Sequence, residues 1–553
     1  MSTRSKTSLA RILYYIVPNT ITGFAYGWEV ASMGGILAMP AFLEYMHTPS
    51  DFTQGIMTAA LIAGEFFGTL FIGLFCSDRL GRRFTIILSC AIYLVGQAIL
   101  VASQNRGMFI AGRVINGLGA GPLFQTMAFY TAEISPTEIR GRLVATLNAG
   151  IALGILVAYW VQYGFLSIPG NAAWRSCFAL QLIPGVIVAI VIWFRPESPR
   201  WLVQHDKQEM ALKVLADLHA DGDTTSNLVR AELEEIRVVV SLEQSPDAPS
   251  YINLLFGRDY RRRSALAMGL QCMQQLSGAN IVLYYAGKVF AQTGRTGAQA
   301  ALLANGISSA LLFGATTSLT IMIDYYGRRR PIFIGHGTMG TCLVIVGSIL
   351  IGFGAPHFDH TTQAVQFTFQ DKDAGNAAVA FMFLFQVAFG AFSSSVPWTF
   401  QNEVFPVIAR ARGTALSVAT NFFTNFWLGL YIPKALNTAS WRVYFIFGAL
   451  NFTSMVLGYL FYPETTGKSL EELDLLFTPE RSAWVFRDRD ACSKRPILSH
   501  SLSDDPEIVA HELRKRLVLE KGGDAQMAED LGQSFEVKSA HREVAHNEFE
   551  VEK

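Results

Sequence analysis

The sequence predicts an all-α membrane protein, with twelve transmembrane helices in two pseudo-symmetric six-helix bundles joined by a cytoplasmic helical linker. Three observations carry this. Hydrophobic residues make up 51% of the 553 residues and the mean hydropathy is +0.30, too apolar for a soluble chain of this size. The apolar residues gather in twelve blocks, each long enough to cross a hydrocarbon core of ~30 Å. A charged phrase also recurs once in each half, as Asp78-Arg79-Leu80-Gly81-Arg82-Arg83 and as Asp324-Tyr325-Tyr326-Gly327-Arg328-Arg329.

The twelve segments are predicted at 12–36, 55–76, 84–103, 107–131, 143–166, 175–194, 264–288, 299–323, 331–353, 377–400, 411–434 and 441–462. The amino-terminal "MSTRSKTSLARILYYIV" has the charge pattern of a signal peptide but no small-residue cleavage site, so segment 1 is read as a retained helix. Loops after segments 2, 4, 8 and 10 hold Arg79, Arg82 and Arg83; Arg140 and Arg142; Arg328, Arg329 and Arg330; Arg410 and Arg412. No Lys or Arg falls between Leu37 and Gln54. Short basic loops stay in the cytoplasm, which places both termini and residues 195–263 there.

Residues 195–263 read as short amphipathic helices, among them "DKQEMALKVLADLHA" and "NLVRAELEEIRVVVSLEQ", closed by the turn-forming "SPDAPS". The expected domains are therefore a bundle at 1–194, the linker at 195–263, a second bundle at 264–462 and a largely disordered cytoplasmic tail at 463–553. That tail is polar and of mixed charge, with one helical phrase, "PEIVAHELRKRLVLEK". Six cysteines without paired spacing are read as packing residues. A formal net charge of zero says nothing about partners, and no nucleic acid is expected. Neither a nucleophile-base set, nor a Walker phrase, nor metal-ligand spacing occurs outside the segments, so no enzyme, metal or cofactor is expected.

Three phrases repeat at equivalent places in the halves. Besides the arginine phrase, "YTAEISPTEIRGR" after segment 4 matches "FQNEVFPVIARARG" after segment 10, and "PESPRW" after segment 6 matches "PETTGKSLEEL" after segment 12. Parallel six-helix repeats mark transporters that rock two halves about a central site. Arginines beside acids at helix ends can form two-pronged ion pairs. The expected cytoplasmic gate consists of Asp78, Arg82, Arg83, Glu133 and Arg142 with Asp324, Arg328, Arg329, Glu403 and Arg410, and with Glu197 and Glu464 as further acceptors. It fastens the halves in one state and releases them in the other.

With these phrases, "GRVINGLGAG", "QQLSGANIVLYYA" and "PWTFQNEVFP", the chain resembles the sugar porter family of the major facilitator superfamily from about Tyr26 to Phe477. The resemblance implies alternating access, with the solute held near the bilayer midplane. It also implies that Gln274, Gln275 and Asn280 of segment 7 bind the solute, joined by Asn421 and Asn425 of segment 11. Asn148 stands where a segment-5 Gln is usual, and Trp398 holds the aromatic that can lie against a sugar ring. Amides suit this task because each offers donors and an acceptor to a hydroxyl. Departures from the family are Leu312 in place of an Asn, Phe422 in place of a Trp, and Ser394 and Ser395 in place of a Gly-Pro element. The solute class therefore stays open among hexose, pentose, disaccharide, polyol and a cyclic acid such as quinate.

Segment 1 reads "YGWEVASMGG", with Glu29 where proton-coupled members of the family carry Asp. An ionisable group in a span costs about 2.5 to 3.5 kcal/mol or more and marks function. Arg113 of segment 4 is its expected partner, and protonation of Glu29 is expected to release it, so that a proton and the solute move together. A permanent structural pair is the alternative. Glu65 in "AGEFFGTL" is a second buried acid, read first as a bond to a neighbouring helix and second as an additional proton site, with Gly64 and Gly68 suited to close helix packing. Two rival functions share the scaffold: a receptor that binds sugar without carrying it, and an exporter of a non-sugar metabolite. A fungal plasma membrane is the expected location.

Overall fold

The computed structural model describes residues 9–136, 140–245, 249–283, 298–359, 364–369, 371–468, 470–478 and 483–494. Twelve long helices stand at the twelve predicted segments. Helix 1 is Leu9–Ile36, helix 2 Asp51–Leu80, helix 3 Arg82–Ala102, helix 4 Arg106–Ile134, helix 5 Arg140–Phe165 and helix 6 Ala172–Trp193. Helix 7 begins as Arg261–Leu276 and resumes over 279–283; helix 8 is Ala298–Tyr326, helix 9 Arg329–Phe353, helix 10 Lys372–Val404, helix 11 Val407–Ala439 and helix 12 Arg442–Phe461. Side-chain caps fix two starts: Ser50 accepts from Thr53 N–H before helix 2, and Asn105 from Met108 N–H before helix 4.

Among the described residues, eight of the twelve are long and apolar enough to cross a membrane by composition alone. Helices 1, 4, 7 and 11 are not among them, and these four carry Glu29, Arg113, Gln274, Gln275, Asn280, Asn421 and Asn425. Polar residues kept off the outer faces leave those faces apolar, as with Phe67, Phe71, Phe75, Ile190 and Trp193, which suits contact with lipid.

The packing repeats with a shift of six helices. Helix 1 packs on 5 as 7 packs on 11; 3 on 4 as 9 on 10; 2 on 4 as 8 on 10; and 3 on 6 as 9 on 12. Across the two halves, helix 2 meets 11 and helix 5 meets 8, which the same shift interconverts. The repeats seen in the sequence are thus a structural symmetry.

Between helices 9 and 10 the all-α reading fails locally. Strand β1, Gly354–Asp359, pairs antiparallel with β2, Ala364–Phe369, with Gly354 opposite Phe369. "AVQFTF" alternates apolar and polar residues, the period of a strand, and a loop beyond the hydrocarbon can hydrate its open edge.

The linker forms four short helices: Pro199–Gln204, Gln208–His219, Asn227–Glu243 and Tyr251–Phe256. Trp201, Leu215, Val229 and Leu233 form its core. It docks on the first half through His219 Nε2 at 3.1 Å from Ile134 O, Trp201 Nε1 donating to Asp78 O at 2.9 Å, and Tyr15 Oη donating to Leu218 O at 3.4 Å. Its end is held from the second half, where Arg412 Nη1 donates to Pro249 O at 2.7 Å.

Residues from Pro463 form a separate unit. Within it stand the helix Leu470–Leu476 and two short turns, and Lys468 Nζ donates to Glu464 O at 2.8 Å and Ser493 O at 2.6 Å. The phrase at 506–521 lies outside the described residues.

Away from the linker the halves approach closely. A Cβ on Gly34 would stand 2.2 Å from Leu283 O, and one on Gly55 2.1 Å from Leu430 O. Asn437 donates to Asp51, and Tyr159 Oη donates to Leu283 O at 2.5 Å. The chain is therefore closed on the far side, the side opposite the linker. Gly55→Val removes the room this closure needs. It is expected to populate the form open on the far side, read as faster labelling of a cysteine placed at Ala59 by a membrane-impermeant thiol reagent.

Candidate functional site

At the centre of the first half, Glu29 and Arg113 are both buried, with Nη1 2.5 Å from Oε1. Arg113 also reaches Met57 O with Nε at 3.3 Å and Ser32 Oγ with Nη1 at 3.4 Å. Gln181 of helix 6 serves the other carboxylate oxygen. With its nitrogen turned to Glu29 it lies 2.5 Å from Oε2, and its oxygen then accepts from Trp28 Nε1 at 3.2 Å. In the reverse orientation its oxygen accepts from Gln97 Nε2 at 2.5 Å, and Gln97 Oε1 accepts in turn from Asn116 Nδ2 at 2.9 Å. The expected ion pair is present, inside an amide shell that sequence reasoning missed. Glu65 does not bond to a neighbouring helix: among the described residues its Oε1 has no hydrogen-bond partner. Gly117 and Gly121 of helix 4 abut the backbone of Glu65.

In the second half, helix 7 breaks at Ser277 and Gly278, where Gly278 takes φ +91. Glycine alone adopts this without strain. The break brings Asn280 back over Gln275, so that Asn280 Nδ2 donates both to Gln275 Oε1 and, at 2.8 Å, to Asn425 Oδ1. Gln275 Nε2 donates to Asn421 Oδ1 at 2.7 Å, and Asn421 Nδ2 donates to Gln271 Oε1 at 2.7 Å and Gln274 Oε1 at 3.2 Å. Gln274 Nε2 in turn donates to Ser393 O and Ser394 O, at 3.1 and 2.9 Å. These carbonyls are available because helix 10 passes through a π-helical stretch, Phe389–Ser393, before restarting at Val396. The structure thus joins all five predicted amides of helices 7 and 11. It adds Gln271 and, through Gln271 Nε2 at 2.8 Å from its Oε1, Gln401.

The remaining predicted binding residues stand apart from the network. Trp398 meets Phe124 edge-on across the halves at 5.6 Å, and Phe124 stacks on Tyr26 at 4.6 Å. Asn148 is half-buried on helix 5 and, among the described residues, hydrogen-bonds to no member of the network. The Ser394 hydroxyl turns back to Gly390 O at 2.8 Å.

On the linker side, Arg82 grips Glu133 with Nε and Nη2 at 3.1 and 3.2 Å, and reaches Ser77 O at 2.8 Å and Asp78 Oδ1 at 3.1 Å. Ser198 Oγ donates to Glu133 Oε2 at 2.6 Å. Glu197 caps the start of helix 3, accepting from the backbone N–H of Arg82 and Arg83 at 2.8 and 3.1 Å and of Ser198 at 2.9 Å. Burial pushes its carboxyl above the usual range, against the pull of those N–H groups. Gly81, at φ +99, makes room for it: a Cβ would sit 2.3 Å from Glu197 Oε2. The second half repeats the grip, with Arg328 Nη2 and Nε at 2.7 and 3.2 Å from the Glu403 carboxylate.

The second arginine of each phrase departs from expectation. Arg83 donates to Trp193 O, and Arg329 to Tyr459 O and Tyr462 O at 2.7 and 3.1 Å. Each closes the carbonyl end of the last helix of its half. The side chains of Arg142 and Asp324 lie outside the described residues. Arg410 is partly buried on helix 11, and the Glu464 carboxylate accepts from Thr466 N–H at 3.1 Å. The Arg82–Glu133 and Arg328–Glu403 grips are each internal to one half.

Residues 15–477 match the family described as "Sugar (and other) transporter". The chain belongs to that family. Among its relatives is a high-affinity glucose transporter of Kluyveromyces lactis, 33% identical over 84% of each chain. Another is the MFS glucose transporter mfs1 of Aspergillus flavus, 34% identical over 84% of this chain and 89% of that one. A solved structure of the proton:xylose symporter XylE, bound to 6-bromo-6-deoxy-D-glucose, superposes with a TM-score of 0.68 at 24% identity, covering 85% of this chain and 99% of that one. As a family member, the protein is an integral membrane transporter of a small-molecule solute.

The family's arginine phrases act first as structural grips. Arg82→Lys forfeits the two-pronged contact with Glu133 and is expected to cost about 2 kcal/mol of stability, seen as a lower melting temperature of the purified protein. Asp78→Asn, at a mostly exposed side chain, is expected to cost less than about 1 kcal/mol.

Proposed function

We propose that this transporter carries a sugar or a closely related polyol across the plasma membrane by alternating access, together with a proton. The observation that carries the reading is the amide network of helices 7 and 11. A cluster of carboxamides bonded to one another in the middle of a membrane bundle can exchange those bonds for the hydroxyls of a solute at little net cost, because each amide both donates and accepts. Trp398, Phe124 and Tyr26 supply the apolar faces on which a sugar ring rests. The glucose transporters among the relatives support the same class, and Asn148 joins when the solute or a further closure draws helix 5 inward.

Coupling falls to Glu29 and Arg113. Ionised, Glu29 holds Arg113 and takes the Gln181 nitrogen; protonated, it loses most of its attraction for the guanidinium and offers an O–H to the Gln181 oxygen. The amide follows the proton by turning over. Freed of its partner, Arg113 loosens helix 4 from helix 1, which lets the first half re-pack. The positive-inside loops support cytoplasmic termini and linker, so the closed far side is the extracellular one.

In the outward-facing state, Asp78, Arg82, Arg83, Glu133, Arg142 and Glu197 close against Asp324, Arg328, Arg329, Glu403 and Arg410. The internal grips hold the helix ends of each half in shape for that closure. Carriage, rather than signalling by a receptor, is supported by the presence of a grip in each half, Arg82 on Glu133 and Arg328 on Glu403.

The test is uptake of labelled hexoses, pentoses, disaccharides, polyols and quinate by cells without carriers of their own, with and without a protonophore. Protonophore-sensitive accumulation of a sugar or polyol is expected, and entry of none of them overturns the reading. Glu29→Gln is expected to abolish uphill accumulation and spare exchange; unchanged accumulation defeats coupling at Glu29. Gln275→Ala is expected to raise KM about tenfold, the loss of roughly one good hydrogen bond.

A further inference from the structure

Helix 2 carries a carboxyl that this coupling scheme does not use. Glu65 is 1% exposed, and its Oε1 has no hydrogen-bond partner among the described residues. Helix 4 lies directly against it, with Gly117 and Gly121 abutting the Glu65 backbone one and two turns from Arg113, the partner of Glu29 of helix 1. Helix 11, which also packs on helix 2, brings no charge to this level: Phe423 faces Phe66 there, while Arg410, Arg412 and Lys434 stand towards the helix ends. The next stretch of helix 2, Thr69–Cys76, holds no acid or base besides the thiol of Cys76.

Three buried ionisable groups therefore share one environment, two of them acids and one a base. With both acids ionised the cluster carries a net negative charge in a low-dielectric interior, where each uncompensated ion is costly. Glu29 has Arg113 Nη1 at 2.5 Å as its counter-ion. Glu65 is buried with no donor to its Oε1 among the described residues, and a bound proton removes the cost of a charge there. We propose that Glu65 is a second proton-binding carboxyl of the coupling site, sharing Arg113 with Glu29 so that the three groups together hold one proton.

A second, independent observation gives that proton a way out. Thr69 Oγ1, one turn nearer the linker side on helix 2, is buried and unpartnered among the described residues, as are both amide atoms of Gln125 on helix 4. Gln125 faces the next turn of helix 2, its Oε1 2.7 Å from where a Cβ of Gly73 would stand. Glu65, Thr69 and Gln125 thus form a row of polar groups descending the seam between helices 2 and 4. From Thr69 the helix is π-helical, a geometry that recurs at functional sites.

The cycle balances. A proton from the far side binds Glu29, which releases Arg113; Arg113 becomes the counter-ion of Glu65. The Glu65 O–H then breaks, and its proton leaves along Thr69 and Gln125 to the linker side. Glu29 keeps the incoming proton, so the cluster again holds one. Its return to the starting pairing passes that proton to Glu65 as Arg113 swings back.

The inference rests on proton coupling at Glu29, and the experiment separates the two. The full-length protein in proteoliposomes is followed by infrared spectroscopy and by accumulation and counterflow of labelled D-glucose. A protonated-carboxyl band is expected in the unsubstituted protein at neutral pH. It is expected to vanish both in Glu65→Gln and in Glu29→Gln, because each leaves one acid facing one guanidinium. Glu65→Gln, near-isosteric, is expected to keep counterflow and lose accumulation above equilibrium.

Absence of the band from the unsubstituted protein, or retention of either the band or the accumulation by Glu65→Gln, overturns the proposal. Accumulation by Glu29→Gln overturns coupling at Glu29 instead, while the infrared result on Glu65 stands by itself.

Discussion

A guanidinium in the middle of a membrane bundle cannot stand alone, and much of the first half is arranged around that of Arg113. Its charge must be matched by Glu29, its remaining N–H groups by Met57 O and Ser32 Oγ, and the carboxylate it holds by an amide from helix 6. Four helices are thereby committed to one point. The apolar packing around it explains why the pair is costly to break and useful to break: in a medium without water, a single proton on Glu29 changes the balance of the whole cluster. Among the described residues the amide cluster of the second half shows no such ion pair, and there the same demand for internal satisfaction is met by neutral carboxamides. The asymmetry sets an ion-paired half beside a hydrogen-bonding half on one repeated scaffold.

The duplicated arginine phrases show how symmetry is used without redundancy. Arg82 and Arg328 each hold a glutamate at the end of the fourth helix of their half; Arg83 and Arg329 each close the carbonyl end of the sixth. One tight turn thus staples the third helix of a half to two others. Gly81 and Gly327, at φ +99 and +83, permit the turn, and only a residue without Cβ leaves Glu197 its place against the first of them.

Much of the architecture was legible in the sequence because the bilayer restricts it so strongly: an apolar stretch of about twenty residues has one stable form there. The Glu29–Arg113 pair was legible for the same reason, since two opposite charges inside spans have few alternatives. The amide shell was not. Gln97, Gln181, Gln271 and Gln401 look the same in sequence whether they tie helices together or face a cavity, and their partners lie on other helices, 19 to 150 positions away. The two neighbouring arginines of each phrase were not separable either. A step of one residue turns a side chain by about 100° around a helix, so one meets an acid and the next a carbonyl, and only the placement of the sixth helix decides which. Glu65 was seen and read first as an interhelical bond, which its Oε1, unpartnered among the described residues, does not bear out; nothing local in a sequence separates a paired buried acid from an unpaired one. The hairpin after helix 9 escaped because its alternation is short and lies between two strong helical signals.

The linker lies on the first half through His219, Trp201 and Tyr15, yet its end is pinned by Arg412 of the second. The linker helix Asn227–Glu243 packs on helix 11 as well, so the linker rests on both halves along its length. A swing of the halves must therefore carry the linker with one of them and part its contacts with the other. The covalent join is thus a clasp as well as a connector.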